Sequence, residues 1–259
     1  MPPDAVSDIK EHWERQARNV ALDAAHVTHA DRQQRLLEIE VLLQYLPHGQ
    51  RVLDVGCGNG FSTAIVAQHA AHVVGIDYSA SMIDRAKREH GHLANVTFEV
   101  QDLLDLRLPP RSFDAVISQR CLINLATWEN QQKALTSIAA VLKPGGCFVL
   151  QEGTRQGREA LNQGREALGL SRMPVVPFNL DFDEQTLWPF LRRSFDIVEV
   201  RRFGLYDLIS RIVHPLLVSP AEPQYDAKIN DVARQVSARL RGADDLAREF
   251  SAFLRRRED

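Results

Sequence analysis

An α/β fold with a mostly parallel sheet and helices on both faces is what this sequence predicts. From residue 51 to residue 151, short apolar runs of strand length alternate with longer amphipathic runs. Glycine clusters separate several of them, as at Gly56-Cys57-Gly58-Asn59-Gly60 and Gly145-Gly146. Strands alternating with helices imply right-handed crossovers and parallel pairing.

The first fifty residues read as helical. From Asp8 to about Asn19, the residues Ile9, Trp13 and Ala17 stand four apart and share one face. Asp31 suits the N-cap of a second helix carrying Leu36, Ile39, Leu43 and Leu46, which Pro47 stops. Strands follow at Arg51–Val55, His72–Asp77, Val96–Val100, Phe113–Ser118 and Cys147–Gln151, with helices at Phe61–Ala70, Ser79–His90 and Thr127–Leu142. Lys143-Pro144-Gly145-Gly146 reads as the turn before the fifth strand.

The later part is less regular. The hexapeptide QGREAL occurs at Gln156–Leu161 and again at Gln163–Leu168, a seven-residue step that sets Arg158 and Arg165 on one face of a single helix. Met173–Phe178 reads as a proline-broken loop, and Asp183 as the cap of a helix through Leu191. Phe195–Phe203 reads as a strand, with helices at Leu205–Val213 and Asp226–Leu240 around a turn at Ser219–Pro223. From Asp244 the pattern fits a helix or a short strand near Phe250–Leu254.

Across 259 residues the formal net charge is −3, with 44% hydrophobic and 25% charged residues. No charge excess draws the chain to nucleic acid, and Arg255-Arg256-Arg257 is countered by Glu258-Asp259. No apolar run reaches membrane-spanning length, and the N-terminus lacks the basic start and apolar stretch of a signal peptide. Cys57, Cys121 and Cys147 stand far apart, so reduced thiols in a cytoplasm are expected, with no metal site.

The segment Asp54-Val55-Gly56-Cys57-Gly58-Asn59-Gly60 carries the chemistry. Glycines at alternate positions admit a ligand where a β-carbon would clash. A dinucleotide loop needs a glycine where this chain has Phe61, and Asp54 would repel a pyrophosphate. A carboxylate there suits an ammonium group instead.

Residues 52–60, VLDVGCGNG, resemble motif I of the class I S-adenosylmethionine-dependent methyltransferases. The resemblance runs from about Leu46 to Glu152. It implies a seven-stranded Rossmann-like sheet, S-adenosylmethionine as cofactor, and cofactor contacts from Asp54, Gly56, Cys57, Gly58 and Gly60. Asp77, at the end of the second strand, matches the acidic residue that holds the ribose hydroxyls. Tyr78 and Met82 match residues packed on the adenine, and Asp102 and Leu103 those at its amine and ring. Gln119 matches a position near the methionine end. Phe113–Ser118 and LKPGG, Leu142–Gly146, resemble the family's later motifs.

The implied reaction is methyl transfer to an oxygen or nitrogen of a small molecule. The N/D-P-P-Y/F signature of enzymes that methylate amide or adenine nitrogens is missing after the fourth strand. Arg120 and Asn124 are candidates to face the acceptor, Arg120 equally an ion-pair partner. Trp13 and Arg155 complete the acceptor candidates, and the arginines suggest an anionic acceptor. Arg158 and Arg165 read rather as a solvated helix face. Glu152, Tyr206 and His214 are candidate bases, His214 equally a structural histidine. One domain spans 1–259, with residues 1–48 as an N-terminal cap, 49–152 as the cofactor core and 153–259 supplying acceptor-side helices and the last strands. The segment Met173–Pro223 is expected to help cap the pocket. A homodimer is compatible with the sequence. Two other readings stay open: a non-catalytic cofactor-binding subunit and a nucleotide-dependent oxidoreductase.

Overall fold

The computed structural model describes residues 4–19 and 26–258. The reading of the first eight residues falls partly outside them. Among the described residues no helix is long and apolar enough to cross a membrane.

Seven strands form one sheet in the order β3-β2-β1-β4-β5-β7-β6. They are β1 (Arg51–Val55), β2 (His72–Asp77), β3 (Val96–Val100), β4 (Phe113–Gln119), β5 (Leu142–Gly153), β6 (Phe195–Arg202) and β7 (Glu249–Arg256). The first five pair in parallel, and β7 runs antiparallel to both β5 and β6. The segment after Asp244 therefore ends in a strand, after one helical turn at Asp244–Leu246.

Burial follows the alternation of side chains along each strand. Leu53, Val55, Val116, Phe148 and Leu150 meet Leu135 and Ile138 of α5 (Trp128–Val141) on one face. Val52, Val73, Ala115, Ile117 and Val149 meet Leu37, Val41 and Leu42 of α2 (Arg32–Leu43) on the other. α1 (Asp4–Arg18) precedes these and contacts α4 (Ala80–His90).

Side chains close the helix ends as their positions suggest. Asp31 accepts from the Gln34 amide at 3.1 Å, Ser79 from Met82 at 3.2 Å, and Thr127 from Asn130 at 3.2 Å. α3 (Phe61–Val66) is shorter than the run to Ala70 suggests. LKPGG is no plain turn: β5 begins at Leu142, and the register jumps from Phe113–Leu142 to Ala115–Cys147. Lys143–Gly146 thus bulges from the strand.

The QGREAL repeats form α6 (Arg155–Ala167). Its two arginines do not make a solvated face. Arg158 pairs with Asp181, Nη2 to Oδ1 at 2.9 Å, and Arg165 is buried, donating to the carbonyls of Ser171 and Arg211. α7 (Glu184–Leu191) is capped by Asp183. α8 (Gly204–Asp207) passes through a π-helical turn at Leu208–Val213 into α9 (His214–Val218). With α10 (Lys228–Arg239), these late helices stack against one another, and α10 packs on α2.

The chain reverses direction across the sheet between β1 and β4. Open α/β sheets bind ligands in the crevice beyond the carboxyl ends of strands at such a point. Here those ends are Val55 and Gln119.

Candidate active site

The loop after β1 is tied to its neighbour strand. The amides of Gly56 and Cys57 both donate to the Ile76 carbonyl, at 2.8 and 2.9 Å. This holds Gly56 at φ 70° and Gly58 at φ 55°, where a side chain is strained. Space forbids one as well. A β-carbon on Gly56 would stand 2.4 Å from Cys121 Sγ, and one on Gly58 2.8 Å from a methyl of Thr28.

Three acidic residues lie along the crevice. Asp54 is buried and accepts from the Thr63 hydroxyl at 2.6 Å, and burial pushes its carboxyl up to about 7. Asp77 accepts from the amides of Gly58 at 3.0 Å and Ser79 at 2.9 Å. Burial raises it to about 6 against the pull of those amides. Asp102 caps the short turn at Leu103–Asp105 and accepts from the Leu104 amide at 2.8 Å.

Two adjoining cavities open here, of about 700 and 640 Å³. Asp54, Cys57, Gly58, Met82 and Gln119 line the first, with Trp13 and Arg120. Asp102 and Leu103 line the second. Gly56, Asp77, Tyr78 and Asn124 border both. Trp13 is braced by His12 and by Phe178 of the proline-broken loop, with ring centres 4.9 and 6.4 Å away.

Five expected site residues stand elsewhere. Gly60 lines neither cavity; it caps α3, and a β-carbon on it would meet the Phe98 ring at 2.7 Å. Arg155 is largely exposed and pairs with Asp183 at 2.5 Å, away from both cavities. None of the three candidate bases lines either cavity. Glu152 is buried and accepts from the Leu122 amide at 2.8 Å, and burial pushes it up to about 8. Tyr206 is fully buried and donates to the Asp31 carboxylate, 2.8 and 2.9 Å from its two oxygens. His214 is buried in α9.

Arg120 does border the first cavity, in the left-handed region at φ 50°, but its guanidinium is engaged by Glu38. Burial pushes Glu38 up to about 8 against the pull of Arg120. Glu249 adds a second carboxylate beside Arg120; burial opposes its ionisation, but Arg248 and Arg120 hold it well below the usual range. Arg155 is thus remote and Arg158 and Arg165 are engaged elsewhere, while Arg120 and Arg35 line the first cavity.

Sequence reasoning missed Thr28, Arg35, Ser62 and Cys121 in the first cavity. Arg35 carried a signal: at the i, i+4 and i+7 spacing it shares the buried face of α2 with Ile39 and Leu42. A charge in an apolar stripe marks a functional or paired group. Its guanidinium lies 4.4 Å from the centre of the Phe61 ring, and burial lowers it to about 9.

Residues 52–146 match a family model described as a methyltransferase domain. That segment, which holds the glycine loop and the crevice, is thus similar to a methyltransferase domain. The chain is 42% identical over 104 residues to a demethylmenaquinone methyltransferase of Tropheryma whipplei (strain Twist), covering 40% of this chain and 42% of that protein. It is 36% identical over 99 residues to a ubiquinone biosynthesis O-methyltransferase of Coxiella burnetii (strain Dugway 5J108-111), covering 38% and 41%. The match thus spans about two-fifths of the length of these curated relatives. The fold of the chain is similar to that of N-methyltransferase NodS from Bradyrhizobium japonicum WM9, solved with S-adenosyl-L-homocysteine. There the TM-score is 0.57 at 17% identity, over 96% of this chain and 99% of that one.

Proposed function

We propose that this protein transfers a methyl group from S-adenosylmethionine to an oxygen or nitrogen of a small molecule, with both partners bound in the two adjoining cavities. The observation that carries this is the cradle at the β1–β4 crevice. Glycines without room for a β-carbon stand beside Asp77, and the buried Tyr78 hydroxyl has no protein partner. An open backbone approach, a carboxylate for ribose hydroxyls and an unpaired polar atom fit this cofactor.

In this reading Asp77 accepts from the ribose hydroxyls, and Asp102 and Leu103 hold the adenine in the second cavity. Asp54, Gln119 and Arg35 serve the zwitterionic methionine end, Arg35 meeting its carboxylate. Gln119 is well anchored for this: its Nε2 donates to Gln151 Oε1 at 2.6 Å, and Gln151 donates to the Glu38 carbonyl and the Ser251 hydroxyl. Its own Oε1 is left to face an ammonium. When bound, the cofactor supplies a methyl group on a cationic sulfur, which an acceptor lone pair displaces in line.

The protein's part is alignment and exclusion of water by Trp13, Tyr78 and Met82. Orientation of this kind contributes up to about 7–11 kcal/mol. Among the described residues, Asp54 and Asp77 are the carboxylates that line the first cavity, and both serve the cofactor in this reading.

Isothermal titration with S-adenosylhomocysteine tests the cofactor assignment. Micromolar binding is expected, with a loss of about tenfold or more in Asp77→Ala. Binding of NAD(P) in its place sinks the reading, and unchanged affinity in Asp77→Ala refutes the ribose role.

A further inference from the structure

At the join of the two cavities stands an amide whose orientation is settled from outside them. Asn124 Nδ2 donates to the Arg120 carbonyl at 2.8 Å. The amide cannot turn over, because the reversed form would set Oδ1 against another carbonyl oxygen. Oδ1 is thereby committed as an acceptor, and it is buried with no hydrogen-bond partner. Arg120 takes the left-handed φ of 50°, and its amide donates to the Gln151 carbonyl at 2.8 Å. A buried polar atom left unpaired by the fold points to a ligand that completes it.

The charges around it are already matched. Arg120 is engaged by Glu38, and Arg35 lies beside Asp54 and over the Phe61 ring. Asp54 receives the Thr63 hydroxyl, and Asp77 two backbone amides. The cavities that Asn124 joins are also lined by Trp13, Tyr78, Cys121 and Leu125, with the neutral amides of Gln119 and Asn130. A carboxylate or phosphate on the acceptor would meet no unengaged cation among the described lining residues. An ammonium would meet no carboxylate among the described lining residues beyond Asp54, Asp77 and Asp102, which serve the cofactor in the methyl-transfer reading. An amide oxygen in aromatic surroundings suits a neutral O–H.

We propose that the methyl acceptor carries an uncharged hydroxyl on a flat apolar ring, and that Asn124 sets acceptor specificity by receiving that hydroxyl's hydrogen on Oδ1. This rests on the methyl-transfer reading above and narrows its acceptor. Asn124 positions the hydroxyl and takes no proton: the oxygen gains the methyl group, the sulfur keeps the electron pair of the broken S–C bond, and the hydroxyl's proton passes to water.

The test uses three probes of one shape and different charge: phenol, benzoate and benzylamine. Each is titrated by ligand-observed NMR into the full chain saturated with S-adenosylhomocysteine. Phenol is expected to bind most tightly. Asn124→Leu is expected to weaken phenol about tenfold, the worth of one hydrogen bond, while S-adenosylhomocysteine affinity stays within about twofold. The ranking of the probes on the unaltered protein needs no variant, so it stands even if Asn124→Leu folds poorly. Benzoate or benzylamine binding most tightly, or none of the three binding, overturns the proposal. So does a well-folded Asn124→Leu that loses S-adenosylhomocysteine, since Asn124 then serves the cofactor. Failure of the unaltered protein to bind S-adenosylhomocysteine removes the methyl-transfer reading itself, and this inference with it.

Discussion

At Gly56 a φ of 70° meets a neighbour, Cys121 Sγ, only 2.4 Å from where a β-carbon would stand. Backbone strain and steric overlap therefore act together at one position. Gly56→Ala is expected to lower S-adenosylhomocysteine affinity by more than about tenfold and to destabilise the fold by about 1–2 kcal/mol from the left-handed conformation alone. Titration and urea unfolding read the two effects separately, and unchanged affinity would show that the cradle does not touch the ligand. Glu152 gives a second residue-scale prediction. Burial in the fold raises its carboxyl from the ordinary value of 4.5 to about 8. The folded chain then holds the proton more tightly than the unfolded chain, so this group's contribution falls as pH rises from about 4.5 to 8. Glu152→Gln should match the parent near pH 4 and melt at a higher temperature near pH 8. A melting difference independent of pH would count against this assignment.

Among the helices, two N-caps of the same geometry have different loads. Thr127 accepts from Asn130 and closes α5, a local task. Asp31 closes α2 and also receives the Tyr206 phenol and the buried Arg211 guanidinium, which come from α8 and the π-helical turn. Removing Thr127 as Ala should cost about 1 kcal/mol, the worth of a cap. Asp31→Ala should cost more, about 3–5 kcal/mol, because it leaves the Arg211 charge buried without that carboxylate. Urea unfolding of the two variants decides it; equal losses would mean that the late helices do not lean on α2 through Asp31. The Asp31 carboxyl lies below its ordinary value: burial opposes ionisation, but Arg211 and His29 outweigh it. Its contribution is therefore present above the unfolded carboxylate range and lost as pH falls through the folded value.

For the whole molecule, β7 is the strand that joins the late chain to the early core. It bonds to both β5 and β6, sending Phe250, Ala252 and Leu254 to one core face and Phe253 to the other. A chain ended before Glu249 should lose cooperative unfolding and S-adenosylhomocysteine binding together. Circular dichroism and titration check this, and a truncated chain that still binds would make the first five strands self-sufficient. The late chain also acts on the site from behind. Glu249 of β7 stands near Arg120, and Gln34 donates to it at 2.5 Å, so a distant segment sets the charge balance of the acceptor side.

Local pattern determined the five parallel strands and the caps at Asp31 and Asp183, and the family resemblance added the line of acidic residues along the crevice. Those features depend on side-chain alternation, short-range hydrogen bonds and the spacing of strand ends, all properties of neighbours in the chain. The ambiguous segment from Asp244 became a strand only because β5 and β6 leave a gap that it bonds on both sides. The state of the polar side chains was likewise a tertiary matter. Tyr206, Glu152 and Arg155 have the right chemistry for a site, yet Asp31, the Leu122 amide and Asp183 engage them elsewhere. Arg35, marked in the sequence only by its place in the apolar stripe of α2, and Asn124 border the cavities because α2 and the turn after β4 converge on the glycine loop. Which charge meets which partner depends on residues far apart in the chain, such as Arg120 and Glu38, and no local pattern encodes that pairing.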